Sequence, residues 1–197
     1  MKAPVVSLVV GLFVGGHGTR MGGIAKGMLQ APGSELSLVE RLLVEIRAAL
    51  PGAAIALVGN AEAYEDLHLQ TIADDPPEIG PLGGLASLLE EARSRGARDV
   101  IALACDLPHL DRSLLARLAS EAPDAAVVLV KQAETKNPLI ARYAITPAQP
   151  AVADALRQGR RSLQAVLDRL QPAVVALELS ADEAARLDDW DTPSDIR

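Results

Sequence analysis

Apolar residues along this chain form short continuous runs that alternate with amphipathic stretches. The runs are rich in Val, Leu and Ala, which is typical of strands buried on both faces of a sheet. Six segments are predicted as strands: Val5–Val14, Ala53–Val58, Val100–Cys105, Ala125–Val130, Leu139–Tyr143 and Ala173–Leu179.

Helical periodicity occupies the intervening segments. In the first of them, Ser37 and Glu40 have the spacing of a capping box, and Pro51-Gly52 is a stop signal. The predicted helices are Leu36–Leu50, Ala61–Leu67, Leu82–Arg95, a helix capped by Asp111 and running to about Ala122, Pro150–Gln158, Ser162–Leu170 and Ser180–Arg186. This alternation predicts a three-layer α/β/α sandwich with a Rossmann-like, mostly parallel sheet, as a single domain over residues 1–197. In such sheets ligands bind beyond the carboxyl ends of the strands.

The amino-acid composition excludes several classes of function. Aromatic residues make up 2% of the 197 residues, and the net charge is −7, so the chain is a poor candidate for binding nucleic acid. Cys105 is the only cysteine, which excludes a disulfide framework and a Cys-rich zinc site. The first apolar run is too short to cross a membrane, and glycines and cations follow it instead of a signal-peptide cleavage site. We therefore expect a cytoplasmic protein with no membrane partner.

A glycine-rich loop with two cations follows the first predicted strand. It spans 15–26 and contains five glycines, Arg20 and Lys26. Its glycines bring backbone N–H groups close to an anion, which favours a phosphate site over a plain flexible loop. It fits neither the Walker A pattern, since Gly27 follows Lys26, nor the dinucleotide pattern, since Met21 stands where the third glycine belongs.

Carboxylates follow other predicted strands. Asp106 ends an apolar strand, where it either caps the next segment or, beside a phosphate loop, binds Mg²⁺. Asp74 precedes a glycine-rich turn at 80–84, which suits a planar ligand or a simple turn into the helix. Asp191 lies in an acidic C-terminal stretch and is either a second metal ligand or part of a solvated tail.

These motifs together resemble the molybdenum cofactor guanylyltransferases, which are MobA-like NTP transferases. The opening Phe13-Val14-Gly15-Gly16 through Arg20-Met21-Gly22-Gly23 to Lys26 is similar to the family's Leu-Ala-Gly-Gly, Arg-Met-Gly-Gly and Lys. The later matches are Gly80-Pro81-Leu82-Gly83-Gly84, Cys105-Asp106-Leu107-Pro108, Asn137-Pro138-Leu139-Ile140-Ala141 and Asp191-Thr192-Pro193. The chain departs from the family pattern at Val14, Ala25 and Asp191, and Asp-Thr-Pro looks more like the related cytidylyltransferases.

The resemblance implies a nucleotidyltransferase fold and transfer of GMP from GTP to the phosphate of molybdopterin, with Mg²⁺ as cofactor. It implies catalytic roles for Arg20, Lys26 and Asp106, and metal binding by Asp106 with Asp191. Implied nucleotide ligands are Phe13, Val14, Gly15, Gly16, Lys26, Asn60, Asp74, Gly80, Pro81, Gly84 and Asp106. Asn137 and the Arg160-Arg161 pair are the candidates for the acceptor side, although the two arginines are equally well read as a solvated helix start.

GTP and molybdopterin cofactor are the expected partners of a monomer that makes transient contacts with cofactor-handling proteins. Two alternatives stay open at the level of the sequence. One is a cytidylyltransferase or sugar-phosphate nucleotidyltransferase, and the other is a non-catalytic nucleotide-binding relative.

Overall fold

Seven strands form one mixed sheet in the part of the chain that the computed structural model describes, which is residues 7–14, 25–132, 135–185 and 187. The strands are β1 (Leu8–Phe13), β2 (Ala54–Val58), β3 (Gln70–Ile72), β4 (Asp99–Ala104), β5 (Val127–Gln132), β6 (Thr135–Ala144) and β7 (Val174–Leu177). Their order across the sheet is β3-β2-β1-β4-β6-β5-β7. Only β6 among these strands pairs antiparallel with its neighbours.

Helices cover both faces of this sheet. They are α1 (Leu38–Ala49), α2 (Pro81–Ser94), α3 (Arg112–Ser120), α4 (Ile145–Arg157), α5 (Gln164–Arg169) and α6 (Ala181–Ala185), with short 3-10 turns at Lys26–Met28 and Glu62–Leu67. Helices α2, α4 and α5 pack on one face, and α1 and α3 pack on the other. Successive residues of the central strands point alternately into the two cores, as Val9 and Val10 do. The predicted three-layer architecture is confirmed. No helix among the described residues is long and apolar enough to span a bilayer.

The helix caps formed as the sequence predicted. The Ser37 hydroxyl accepts the Glu40 N–H, and the Glu40 carboxylate accepts the Ser37 N–H at 2.8 Å, so both halves of the capping box are present. The Asp111 carboxylate accepts the Leu114 N–H at 3.0 Å at the start of α3.

Three details differ from the prediction. Helix α4 begins at Ile145, so Pro150 lies inside the helix and is not its start. An exposed proline this near the beginning of a helix removes one backbone hydrogen bond, which the buried face of α4 offsets. Strand β3 was missed because it has three residues, of which two are exposed. Strand β6 is longer than predicted and runs antiparallel.

Strand β6 bulges where it approaches the carboxyl ends of the parallel strands. Leu129 of β5 pairs with Ala141, but the next residue, Val130, pairs with Asn137. Residues 138–140 are therefore left out of the ladder with β5. The buried Tyr143 hydroxyl donates to the Pro138 carbonyl at 2.8 Å, and the Asn137 side chain accepts the Leu139 N–H at 3.0 Å. These bonds hold the bulge, and bulges of this kind commonly redirect side chains next to active sites.

A buried arginine joins the sheet to α3 at the opposite edge. Arg142 is 1% exposed, and its Nη2 donates to the carbonyls of Glu121 at 3.0 Å and Ala122 at 2.7 Å. Its Nη1 lies 3.8 Å from Oδ1 of Asp99, which is also buried and pairs with the exposed Arg98. The guanidinium thus meets the carbonyl end of a helix and a buried carboxylate at once.

Replacing Arg142 by Met should lower the free energy of unfolding by about 2–4 kcal/mol, because two carbonyls lose their buried donor and Asp99 loses its buried ion-pair partner. Denaturant unfolding followed by circular dichroism measures the change. Arg98→Ala is the matched control and should cost below about 1 kcal/mol, since that partner of Asp99 is exposed. The double variant Asp99→Leu with Arg142→Met should regain much of the loss. A single Arg142→Met variant as stable as the wild type would show that the arginine is dispensable.

Candidate active site

The carboxyl ends of three neighbouring parallel strands meet at the centre of the sheet. Phe13, the last residue of β1, pairs with Val58 of β2 on one side and with Ala104 of β4 on the other. The Val14 N–H continues this ladder by donating to the Val58 carbonyl at 3.0 Å. The strand order reverses direction here, because β2 and β4 lie on opposite sides of β1, and ligands of open α/β sheets bind at such a point.

Lys26 and Asp106 face each other at this edge. The Lys26 Nζ lies 3.1 Å from the Asp106 Oδ2, although 80 positions separate the two residues along the chain. Both side chains remain partly accessible, at 23% and 15% exposure. A cation and a carboxylate are therefore brought together within reach of solvent, as predicted for residues that follow β1 and β4.

Cys105, directly before Asp106, is buried. Burial and the nearby Asp106 carboxylate raise the pKa of its thiol to about 12. A thiol in that state is neutral and a poor nucleophile. This environment is that of a residue that packs in the core.

Asp74 lies beside the aromatic ring at the end of β1. An ideal Cβ placed on Gly84 would come within 2.9 Å of the Phe13 ring and 3.0 Å of an Asp74 carboxylate oxygen. Burial raises the pKa of the Asp74 carboxyl above its ordinary value. Gly84 is therefore the residue that lets a half-buried carboxylate and an aromatic edge converge over the first turn of α2.

The start of α2 presents backbone groups to the same region. Gly80 precedes the helix with φ of 79°, which only glycine adopts readily, and Pro81 occupies the first turn. Helix α2 has no side-chain cap. An ideal Cβ on Gly83 would lie 2.5 Å from the Pro76 carbonyl oxygen, so the loop at 74–80 packs directly on the first turn of α2.

Asn60 follows β2 at this edge and is exposed. Its side-chain oxygen accepts the Glu62 N–H at 3.2 Å and so supports the turn at Glu62–Leu67. Asn60 thus lies beside the site, and the contact observed for its side chain is with a residue two positions further along the chain.

On the other side of β4, the bulged strand β6 brings Asn137 to the same edge. Lys131 of β5 and Lys136 of β6 are directly opposed in the ladder, one residue further out. Opposed residues share a face, and Val130 next to Lys131 packs into the core with α1 and α3. The two lysines consequently lie on the face that α2, α4 and α5 cover. This pair was not predicted from the sequence. Its register is set by the three-residue bulge, and a bulge does not show in the pattern of apolar and polar residues along a strand.

Arg160 and Arg161 follow α4 and are exposed. Helix α4 starts at the edge where Ala144 pairs with Asp99, and its Gln149 donates to Glu90 in the second half of α2 at 3.0 Å. Its 13 residues span about 20 Å, which is long enough to reach the carboxyl edge of the sheet. The two arginines line an open groove of about 710 Å³ with Gln158 and Gln164.

Four candidate residues lie outside the described residues: Gly15, Gly16, Arg20 and Asp191. Among the described residues, no group of three or more His, Cys, Asp or Glu side chains is arranged as a metal site. Among the described carboxylates, Asp106 is the one that follows β4 at the centre of the carboxyl edge, beside the end of β1.

Comparison with known proteins identifies the family of this chain. Residues 11–174 match the family model described as a MobA-like NTP transferase domain. The chain is 36% identical to a molybdenum cofactor guanylyltransferase of Pseudomonas fluorescens over 185 residues, which cover 92% of this chain and 88% of that protein. It is 33% identical to a protein of the same name from Pseudomonas syringae pv. syringae, covering 98% of this chain and 93% of that one.

Solved structures share the fold at lower identity. Molybdopterin-guanine dinucleotide biosynthesis protein A from Archaeoglobus fulgidus superposes with a TM-score of 0.73 at 22% identity, covering 95% of this chain and 94% of that one. A 2-C-methyl-D-erythritol 4-phosphate cytidylyltransferase from Thermus thermophilus gives 0.64 at 20% identity, covering 97% and 95%. The fold is therefore common to transferases of different nucleotides, whereas the family match and the relatives above 30% identity are specific: this chain belongs to the MobA-like NTP transferase family.

Proposed function

We propose that this chain transfers GMP from GTP to the terminal phosphate of molybdopterin cofactor, forming the guanine dinucleotide cofactor and pyrophosphate. The observation that carries the proposal is the Lys26–Asp106 pair at the carboxyl edge, with Asp74 and the start of α2 beside it. The proposed reaction is the one that the names of the relatives describe, and the charged residues at this edge suit a reaction between phosphates.

The chemistry needs no protein nucleophile. An oxygen of the acceptor phosphate attacks the α-phosphorus of GTP, the new P–O bond forms, and the bond to the bridging oxygen breaks as pyrophosphate leaves. Negative charge builds on that leaving group. Lys26, and Arg20 by the family resemblance, neutralise this charge, while the glycine-rich loop holds the phosphates.

A divalent metal ion, Mg²⁺ in our proposal, would be held by Asp106 together with nucleotide phosphate oxygens, and by Asp191 through the resemblance. A single described carboxylate fits this ion, because Mg²⁺ is usually bound by one or two carboxylates plus phosphates and water. When bound, the ion offsets phosphate charge. With Asp106 holding the ion, the Lys26 ammonium would be directed to the phosphates.

Guanine suits the environment of Asp74. A carboxylate only accepts hydrogen bonds, and guanine offers two adjacent donors, its ring N1–H and its exocyclic amino group. Cytosine offers an acceptor at its ring nitrogen instead. The space beside Gly80 is open, with no atom within 4 Å of an ideal Cβ, so a base could approach the start of α2 from that side.

The acceptor would bind on the β6 side of Asp106. Molybdopterin carries a terminal phosphate and further negative charge, so it requires cations. Asn137, Lys131 and Lys136 at the bulge and Arg160 with Arg161 after α4 are the polar and cationic groups that the topology brings to this side. In-line attack requires the acceptor oxygen to approach the α-phosphorus opposite the leaving pyrophosphate, and these groups would hold the acceptor phosphate for that approach.

The experiment that tests the proposal measures pyrophosphate release with Mg²⁺, molybdopterin cofactor and each of the four nucleoside triphosphates. GTP should be preferred over ATP and CTP by at least about tenfold, because a mismatched base leaves buried partners unpaired at about 1–3 kcal/mol each. Equal or better use of CTP would support a cytidylyltransferase. The absence of pyrophosphate release with every nucleotide, from a chain that still binds GTP, would support a non-catalytic relative.

Asp74→Ala should reduce the preference for GTP over CTP, because it removes the acceptor that matches the donor edge of guanine. The measured quantity is the ratio of kcat/KM for the two nucleotides. Asp75→Ala is the matched control, since this neighbouring carboxylate is exposed and should leave the ratio unchanged. An Asp74→Ala variant with wild-type discrimination would place base recognition elsewhere.

Asp106→Asn should lower metal-dependent turnover by at least about a hundredfold, since the side chain keeps its shape and loses the charge that holds the ion. Steady-state pyrophosphate release measures the loss, and circular dichroism checks that the variant is folded. Asp124→Asn, an exposed change outside the site, should behave as the wild type. Normal turnover by folded Asp106→Asn would refute the assignment.

Cys105 should resist alkylation in the folded protein. At pH 8 a thiol with a pKa of about 12 is ionised to only about one part in ten thousand, and burial blocks the reagent as well. Because the chain has no other cysteine, mass spectrometry after iodoacetamide treatment gives an unambiguous result. One adduct is expected in guanidinium chloride and none in native buffer. Rapid labelling in native buffer would contradict the buried, neutral thiol.

A further inference from the structure

Tyr64 lies buried beneath the Lys26–Asp106 pair, and neither the family motifs nor the proposed chemistry uses it. Its side chain belongs to the turn at Glu62–Leu67 and is 2% exposed. Its hydroxyl oxygen accepts the Gly27 N–H at 3.2 Å in a buried hydrogen bond. Burial and the neighbouring Cys105 thiol raise the pKa of the Tyr64 hydroxyl, so it stays neutral.

The Tyr64 hydroxyl interacts with the backbone N–H of Gly27 and with the thiol of Cys105. Gly27 directly follows Lys26, and Cys105 directly precedes Asp106. One phenol hydroxyl therefore lies against the sequence neighbours of both charged groups. We call the set of Tyr64, Gly27 and Cys105 the Tyr64 contact.

Close packing makes the Tyr64 contact specific. An ideal Cβ on Gly27 would lie 2.9 Å from the Tyr64 hydroxyl oxygen, 3.0 Å from a ring carbon of Tyr64 and 3.3 Å from the Cys105 Cβ. These neighbours are buried and cannot easily move aside. Gly27 is therefore the residue that lets the turn carrying Lys26 approach the end of β4.

We propose that Tyr64 is a positioning residue, which keeps Lys26 and Asp106 at their working separation once substrate and metal replace the ion pair between them. The hydrogen bond from the Gly27 N–H to a neutral phenol does not depend on the charges of Lys26 and Asp106, so it persists when these groups turn to their ligands. The reaction whose rate reports this positioning is the one proposed above.

Positioning of this kind acts on the transition state. A cation displaced by about 1 Å can cost about a hundredfold in rate while ground-state binding of the nucleotide changes little. Tyr64→Phe keeps the buried ring and removes only the hydroxyl. We expect kcat to fall about tenfold, with the KM for GTP within about threefold of the wild-type value. A residue that merely fills the core would change the stability of the protein and leave both kcat and the KM for GTP unaltered.

The Gly27 amide gives a readout that needs no activity. Because its proton is bonded to the Tyr64 hydroxyl, its exchange with D₂O, followed by NMR, should be at least tenfold faster in Tyr64→Phe than in the wild type. Tyr143→Phe is the matched control, since it removes the other buried tyrosine hydroxyl, which is bonded to Pro138 and not to this turn. It should leave Gly27 exchange unchanged.

Gly27→Ala should act through the same contact. Its effect on kcat and that of Tyr64→Phe should be less than additive in the double variant, because each alone already loosens the turn. Equal Gly27 exchange in wild type and Tyr64→Phe would overturn the proposal, and so would faster exchange with an unchanged kcat. A wild-type chain that shows the Gly27 protection but releases no pyrophosphate would refute the proposed function alone, because the exchange result stands without turnover.

Discussion

The parallel pairing of β1 with β4 is the constraint on which the site depends. Both strands are largely buried on both faces, and apart from Asp99 at the start of β4 they carry only apolar residues, so the polar groups of the site lie beyond the strand ends. Since the strands are in register from Leu8 and Asp99 to Phe13 and Ala104, they end at the same level. The chain therefore leaves β1 and β4 at the same edge of the sheet. Lys26 and Asp106 meet beyond these strand ends, where charged side chains can reach solvent and ligands.

The helices and central strands were predictable from the sequence because their signals are local. The capping box at Ser37 and Glu40 and the cap at Asp111 involve residues three positions apart, and the buried strands are continuous apolar runs. Asp106 was identified for the same reason, as a carboxylate that follows such a run. Pro150 misled because a proline that is tolerated early in a helix looks the same in sequence as one that begins it.

Features set by the register between distant segments could not be predicted. The bulge that opposes Val130 to Asn137 depends on how β6 satisfies two neighbours at once, and the contact between Tyr64 and Gly27 joins residues 37 positions apart. Nothing in the residues around Tyr64 marks it as different from any other core tyrosine. The need for a glycine at position 27 is likewise seen only in the folded structure, where the Tyr64 ring packs against it.

The buried Arg142 lies at the far edge of the sheet from the glycine-rich turns, and this separation bears on how the protein can change. Arg142, Asp99 and the end of α3 hold the amino edge together with groups that contact no residue of the site. The loops at the carboxyl edge can accordingly exchange one nucleotide or acceptor for another without loosening the framework. Specificity can then diverge within one fold, for example from a guanine to a cytosine nucleotide. Substitutions in the loops suffice for this, because the stability of the scaffold depends on other residues.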